Sequence, residues 1–198
     1  MKVSLKEIAD ITQGNILTRI KSDKGTMYKA LTMQQLSYYI NSSDMPGEFN
    51  LILVEENKQS NLCIAEEGDL IVGLNSGKAM TIGNELAGSL IVSNFIRIRL
   101  NDKGLYDPDF LCWLFNENEE IQRYLYSFTQ GTARVAIIPL SNFKDIEILQ
   151  IPIEAQRKIG RVYQLQRRAI RISREKNYLK SKLYKIELLS IYKNGGKK

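Results

Sequence analysis

Ile151-Pro152-Ile153-Glu154-Ala155-Gln156-Arg157-Lys158-Ile159 and its continuation to Tyr192 decide how this chain is built. After Pro152 there is no further proline, and no glycine interrupts the run between Gly160 and Gly195. Apolar residues recur at alternating spacings of three and four through Val162, Leu165, Ala169, Ile172, Lys176, Leu179, Leu183, Ile186 and Ser190. The row Leu165, Ile172, Leu179, Ile186 is wholly apolar. Its companion row is weaker, with Lys176 and Ser190 in it. The pattern predicts a coiled-coil-like helix over residues 154–193, about 58 Å long over 154–192 at 1.5 Å per residue. A helix of that length projects from a small domain, and its half-polar seam calls for a partner. Residues 194–198 read as a disordered tail.

The charge changes at the same boundary. Residues 1–153 carry 14 basic and 19 acidic side chains, net −5, whereas residues 154–198 carry 14 and 3, net +11. The overall charge of +6 is therefore a property of the C-terminal segment. Such a segment suits nucleic-acid or membrane contact, and equally a solvated coiled-coil face whose long side chains cover the seam. Two parts with opposite charge imply two tasks.

Residues 1–153 read as one α+β domain of short, hairpin-linked strands. Leu5, Ile8, Ala9 and Ile11 sit at helical spacing, with Ser4 as N-cap and Gly14 as C-cap. Strands are expected around Met27–Met33, at Leu51–Val54 and at Leu70–Val72, with a hairpin loop Asn75-Ser76-Gly77-Lys78 before a strand at Ala79–Ile82. Residues 90–100 alternate, with Asn94, Ile96, Ile98 and Leu100 facing one way and Phe95, Arg97 and Arg99 the other, as in a half-buried strand. Asp107-Pro108-Asp109 opens a helix that apolar residues carry to Phe128; proline costs nothing in a first turn. Gln130–Arg134 is a loop, and Val135–Leu140 and Asp145–Ile151 are expected as strands.

Catalytic chemistry finds little to stand on. The chain has no histidine, which excludes a Ser-His-Asp triad, a Cys-His dyad and any His-ligated metal. Cys63 and Cys112 alone make neither a zinc site nor a disulfide framework. Asp107-Pro108-Asp109-Phe110 is a poor copy of a D-P-P-Y/F methyltransferase loop and lacks a glycine-rich cofactor loop upstream. No Glu/Asp-x-Lys follows it, as a nuclease would need. Gly73–Ala79 lacks the first glycine of a phosphate-binding loop. No catalytic residue, cofactor or metal is expected. No apolar run approaches the roughly 18 residues of a membrane span, and the N-terminus has no signal-peptide core, so a cytoplasmic protein is expected.

Two small polar loops carry the side chains that bond base edges and phosphates: Asn75, Ser76 and Lys78 in one, Gln130, Thr132 and Arg134 in the other. Arg19 and Lys29 in the polar stretch Gln13–Lys29 have the same character. These residue types are also what ordinary turns contain.

Taken in order, several motifs resemble one target-recognition repeat of a type I restriction–modification DNA specificity subunit. They are Val3-Ser4-Leu5-Lys6-Glu7-Ile8-Ala9 through Gly14 and Arg19; Glu67-Gly68-Asp69-Leu70-Ile71; Ser93-Asn94-Phe95-Ile96-Arg97-Ile98-Arg99; Asp107-Pro108-Asp109-Phe110-Leu111; Gly131-Thr132-Ala133; and Ile151-Pro152 followed by Glu154-x-Gln156-x-x-Ile159. The resemblance implies a target-recognition domain that reads one half of a split double-stranded DNA target, followed by a helix that docks modification subunits, with a restriction subunit as a further candidate partner. It implies no catalysis by this chain. The family's subunit has two such halves with antiparallel helices. One half alone implies a homodimer through residues 157–190, with Val162, Leu165, Ala169, Ile172, Leu179, Leu183 and Ile186 at the contact, and an inverted-repeat target. The rival reading is an adaptor that binds proteins through the basic helix and does not bind DNA.

Overall fold

The computed structural model describes residues 2–41, 43, 45, 47–128 and 137–195. Its element order is β1 (Lys2–Ser4), α1 (Leu5–Ile8), β2 (Ala9–Gln13), α2 (Leu17–Ile20), β3 (Lys21–Ala30), α3 (Met33–Tyr39), β4 (Asn50–Val54), a 3-10 turn (Glu56–Asn61), β5 (Leu70–Gly73), β6 (Ala79–Thr81), β7 (Phe95–Leu100), α4 (Pro108–Glu117), α5 (Glu119–Ser127), α6 (Leu140–Lys144), β8 (Glu147–Leu149) and α7 (Ile153–Gly195). The fold is α+β with one long C-terminal helix.

An antiparallel sheet in the order β2-β7-β5-β6 organises the body. Ile98 lies opposite Ile11 on one side and Leu70 on the other, and Val72 opposite Ile96. Strand alternation then sends Ile11, Leu70, Val72, Ile96, Ile98 and Leu100 to one face, where α1, α4 and α5 cover them with Leu5, Phe110, Phe115 and Leu125. Ile71, Met80 and Phe95 point to the other face, under Ile20, Leu36 and Val54 from the lobe of α2, β3, α3 and β4 and under Leu90 from the connection between β6 and β7. Both faces of the sheet are thus covered. Residues 95–100 form a strand but not a half-buried one. Phe95 is fully buried, and the two arginines beside it are held by acids: Arg97 by Asp10 at 3.0 Å, and Arg99 by a two-pronged pair with the buried Asp69, 2.8 Å at each oxygen.

Several local expectations need correction. The first helix ends at Ile8, because Ala9 turns extended and Ile11 is claimed by Ile98. Gly14 is not a helix cap. A Cβ there would sit 2.3 Å from the Val92 carbonyl oxygen, so its role is close backbone approach. The strand expected at Met27–Met33 is shifted to Lys21–Ala30. Thr32 instead caps α3, accepting from the Gln35 amide at 3.4 Å while Gln35 Oε1 accepts from the Thr32 amide at 2.7 Å. The helix opened by Asp107 does begin there, with Asp107 Oδ1 accepting from the Phe110 amide at 2.8 Å. It does not run to Phe128 unbroken: Asn118 leaves helical geometry, and its side chain caps α5 at the Ile121 amide, 3.1 Å. Ile137–Pro139 form no strand and lead into α6, and the last strand shrinks to Glu147–Leu149, paired with β1. Asn194 and Gly195 continue α7 rather than starting a tail; residues 196–198 lie outside the described residues.

The 43 residues of α7 span about 65 Å at 1.5 Å per residue. Its first turns share the core. Gln156 is fully buried, Gly160 packs on the start of α4, and Tyr163 is buried farther along that helix, beside Cys112 and Asn116. A second set of contacts ties α7 to the end of α3. Arg167 and Arg174 donate to the carbonyls of Ile40 and Asn41, the Tyr38 hydroxyl donates to Glu175, and the Arg171 guanidinium lies 5.4 and 4.8 Å from the Tyr38 and Tyr39 ring centres. Beyond Tyr178 every described residue of α7 is exposed.

Candidate nucleic-acid interface

The β5–β6 turn is the best-defined of the expected contact loops. Asn75 and Ser76 are exposed at its tip. Gly77 adopts φ of 63°, and the Ser76 hydroxyl accepts from the Lys78 amide at 3.3 Å, which fixes the tip in one conformation. Lys78 is not presented with them. Its ammonium turns inward and donates to the Asn116 carbonyl at 3.0 Å and to Gln122 Oε1 at 2.8 Å, bridging α4 and α5. Burial pushes its pKa below the usual lysine range, against the pull of Glu117. The carbonyl it meets is at the negative end of α4, where a cation is favoured. The amide of Asn116 continues the clasp, bonding both the N–H and the C=O of Ala79 at 2.9 and 2.7 Å.

Gln130, Thr132 and Arg134 lie outside the described residues. The residues flanking them sit beside the β5–β6 turn. Ile138 donates its amide to the Leu74 carbonyl at 2.9 Å, and the Leu125 side chain packs where a Cβ on Gly77 would stand. Arg19 is exposed on α2. Lys29 is exposed on β3, 5.6 Å above the Phe49 ring and opposite Leu51 in the β3–β4 pair. Both belong to the second lobe, reached from the turn through Met33 and Leu36, which pack near Gly73.

The seam residues of α7 share a single condition. Val162, Leu165, Ile172, Leu179, Leu183 and Ile186 are each more than half exposed, and Ala169 is exposed among them. The helix thus spends its other face on its own domain and leaves this one open. Sequence reasoning missed what that other face does. Gln156 was legible only as part of a motif, and the α3 contacts had no signal beyond the Tyr38-Tyr39 pair and the arginines spaced for one face.

Among the described residues there is no cluster of metal-binding side chains, and no helix is long and apolar enough to cross a membrane. Both cysteines are buried and free, and burial raises both thiol pKa values, Cys112 to about 12, so neither is poised as a nucleophile.

No protein-family model and no curated protein matches the sequence. Solved structures do match. A chain from a type I restriction–modification system, studied for complex assembly and conformational transition, superposes with a TM-score of 0.58 over 96% of this chain and 45% of its own, at 16% identity. The HsdS subunit from Thermoanaerobacter tengcongensis gives 0.52 over 89% of this chain and 39% of its own, at 15% identity. The chain has the fold of a type I specificity subunit. A type I S subunit from M. genitalium matches more loosely, with a TM-score of 0.49, 15% identity, and 82% and 37% coverage. The chain spans less than half the length of each of these structures.

Proposed function

We propose that this chain is a sequence-specific DNA recognition module of a type I restriction–modification system, reading one half of a split target and positioning modification subunits that carry the methyl transfer. The observation that carries the reading is the match of body and long helix together to a chain of a type I restriction–modification system over 96% of this chain and to an HsdS subunit over 89% of it. In this reading the protein acts in the cytoplasm and is not itself an enzyme. Exposed Asn75 and Ser76 read bases, together with Gln130, Thr132 and Arg134 on the adjoining loop, and Arg19 and Lys29 hold phosphates. Lys78 supports the turn instead of reaching DNA. The body's net charge of −5 means that partners supply most of the nonspecific attraction.

The open seam of α7 pairs with a second copy, antiparallel, so that two half-targets are read as an inverted repeat. The test is methylation of a random-sequence DNA pool by modification subunits with and without this chain, followed by sequencing of modified sites. A split inverted-repeat motif that appears only with the chain supports the proposal, and its loss on replacing Asn75, Ser76 and Arg134 with alanine assigns the loops. Methylation indifferent to the chain would sink it and favour the protein-binding adaptor.

A further inference from the structure

Ile137 is 62% exposed, more than any other aliphatic side chain among the described residues of the body. One exposed isoleucine is ordinary on a protein surface. What sets this one apart is its neighbour. The Ile138 amide donates to the Leu74 carbonyl oxygen at 2.9 Å, so the peptide units 74–75 and 137–138 are bonded to each other. Leu74 and Ile138 are buried, whereas Asn75 and Ile137, which share those units with them, are both exposed. Pro139 favours extended backbone at Ile138, which turns Ile137 outward as Ile138 turns inward. Leu125 and Ile138 fill the space beside Gly77, so the floor under both exposed side chains is fixed. An amide and an aliphatic group thus stand side by side on the outer surface, with the roughly 5 Å spacing of hydrogen-bonded neighbours.

We propose that Asn75 and Ile137 together read one A·T base pair in the major groove, the Asn75 amide bonding the adenine and the Ile137 side chain packing on the thymine methyl group; this rests on the DNA-recognition reading above.

The chemistry matches at both ends of the pair. In the major groove adenine presents the N7 acceptor and the N6 donor, which an asparagine amide bonds together, and thymine presents its 5-methyl group. The minor groove offers no methyl. A G·C pair in the same orientation would set the cytosine amino group against Ile137, which cannot accept its hydrogen bond. A reversed T·A pair would bring the methyl to the amide and the adenine amino group to the isoleucine. Guanine is best read by a cation, and the lysine of this turn is committed inward to Asn116 and Gln122. Side-chain chemistry and placement therefore select both the base pair and its direction.

The test uses the full chain with modification subunits and the target duplex that the pool experiment returns. Each thymine of the half-target is replaced in turn by deoxyuridine, which lacks only the methyl group, and each adenine by 7-deazaadenine, which lacks only the N7 acceptor. Affinity is measured by competition. One deoxyuridine should weaken binding of the parent about fourfold, the worth of one buried methyl group. 7-Deazaadenine at the adenine paired with it should weaken binding by at least as much. Ile137→Ala should bind the thymine duplex at least fourfold more weakly than the parent and no longer distinguish deoxyuridine there. Asn75→Ala should lose only the distinction at the adenine. A half-target with no such A·T pair, penalties on a thymine and an adenine that are not partners, or a deoxyuridine penalty that survives Ile137→Ala would overturn the inference and leave DNA recognition standing. A pool with no motif that depends on the chain would overturn both. If Ile137→Asp releases the modification subunits in the absence of DNA, the residue is a protein contact and the inference falls.

Discussion

Gln156 accepts a hydrogen bond from the Asp107 backbone amide at 3.1 Å while donating to the carbonyls of Leu105 and Ile151 at 3.0 and 2.9 Å. One fully buried amide therefore serves three backbone groups, on the strand-to-helix connection before α4 and on the turn before α7. It is the bolt between body and helix.

Gln156→Leu should leave those three groups buried without partners, at a cost of about 2–4 kcal/mol. Gln156→Glu keeps an acceptor but removes both donated bonds and buries a carboxylate, and should cost at least as much at neutral pH. Urea midpoints of the two variants check this. Midpoints equal to the parent's would mean that α7 holds without the bolt.

Gly160 faces the same junction. A Cβ there would stand 2.6 Å from Asp107 Oδ1 and 2.8 Å from the Phe110 amide nitrogen, which is backbone and cannot swing aside. Alanine ordinarily gains up to about 1 kcal/mol over glycine inside a helix. Here that gain should be reversed into a net loss of about 1–3 kcal/mol through forced separation of α7 from α4. A calorimetric Tm at or above the parent's would show that the helices have room to part.

Lys78 and the turn tip should separate in experiment. Lys78→Met strands the Asn116 carbonyl and Gln122, and should lower stability by about 1 kcal/mol. Asn75→Ala with Ser76→Ala changes only exposed tip atoms and should leave the melting curve within about 0.5 kcal/mol of the parent. Target-specific methylation, measured with saturating folded protein, should fall for the tip variant. The reverse pattern, with Lys78 silent in stability and decisive in methylation, would return the lysine to the DNA.

How far the sequence announced this structure depends on whether a signal was local. The long helix that carries Val162 to Ser190, the Asp107-Pro108 helix start and the Leu70–Val72 strand rest on periodicity or capping, and they are present. The break at Asn118 is also a local signal, an Asn before two glutamates, masked by the apolar run on either side of it. The arginines of β7 were another matter. Alternation reads them as solvent-facing, and only the fold brings Asp10 and Asp69 from distant segments to neutralise them. Lys78 has the character of a contact residue in the sequence for the same reason: its partners on α4 and α5 lie some 40 residues away. The α3 contacts span still longer separations, and no local pattern encodes them.

Asp109, in the first turn of α4, gives a pH test of the α4–α7 junction. Its Oδ1 accepts from Gln164 Nε2 of α7 at 2.8 Å. Burial raises its pKa above the ordinary aspartate value of 3.8, and neighbouring Asp107 adds to the rise, while hydrogen bonds from Thr81 and Gln164 oppose it. The folded chain thus resists ionising this group more than the unfolded chain does. Above the folded pKa the penalty is present in full. It fades as pH falls through that value and is gone below 3.8, where both states are neutral. Asp109→Asn keeps the oxygen that Gln164 uses and removes the charge. The variant should therefore be more stable than the parent at pH 7, and the gap should narrow steadily on acidification toward pH 4. Paired urea titrations across that range measure it, with the slope of each curve held equal. A gap that stays constant or widens in acid would mean that the helix N-terminus, which favours a negative charge at this position, outweighs the burial.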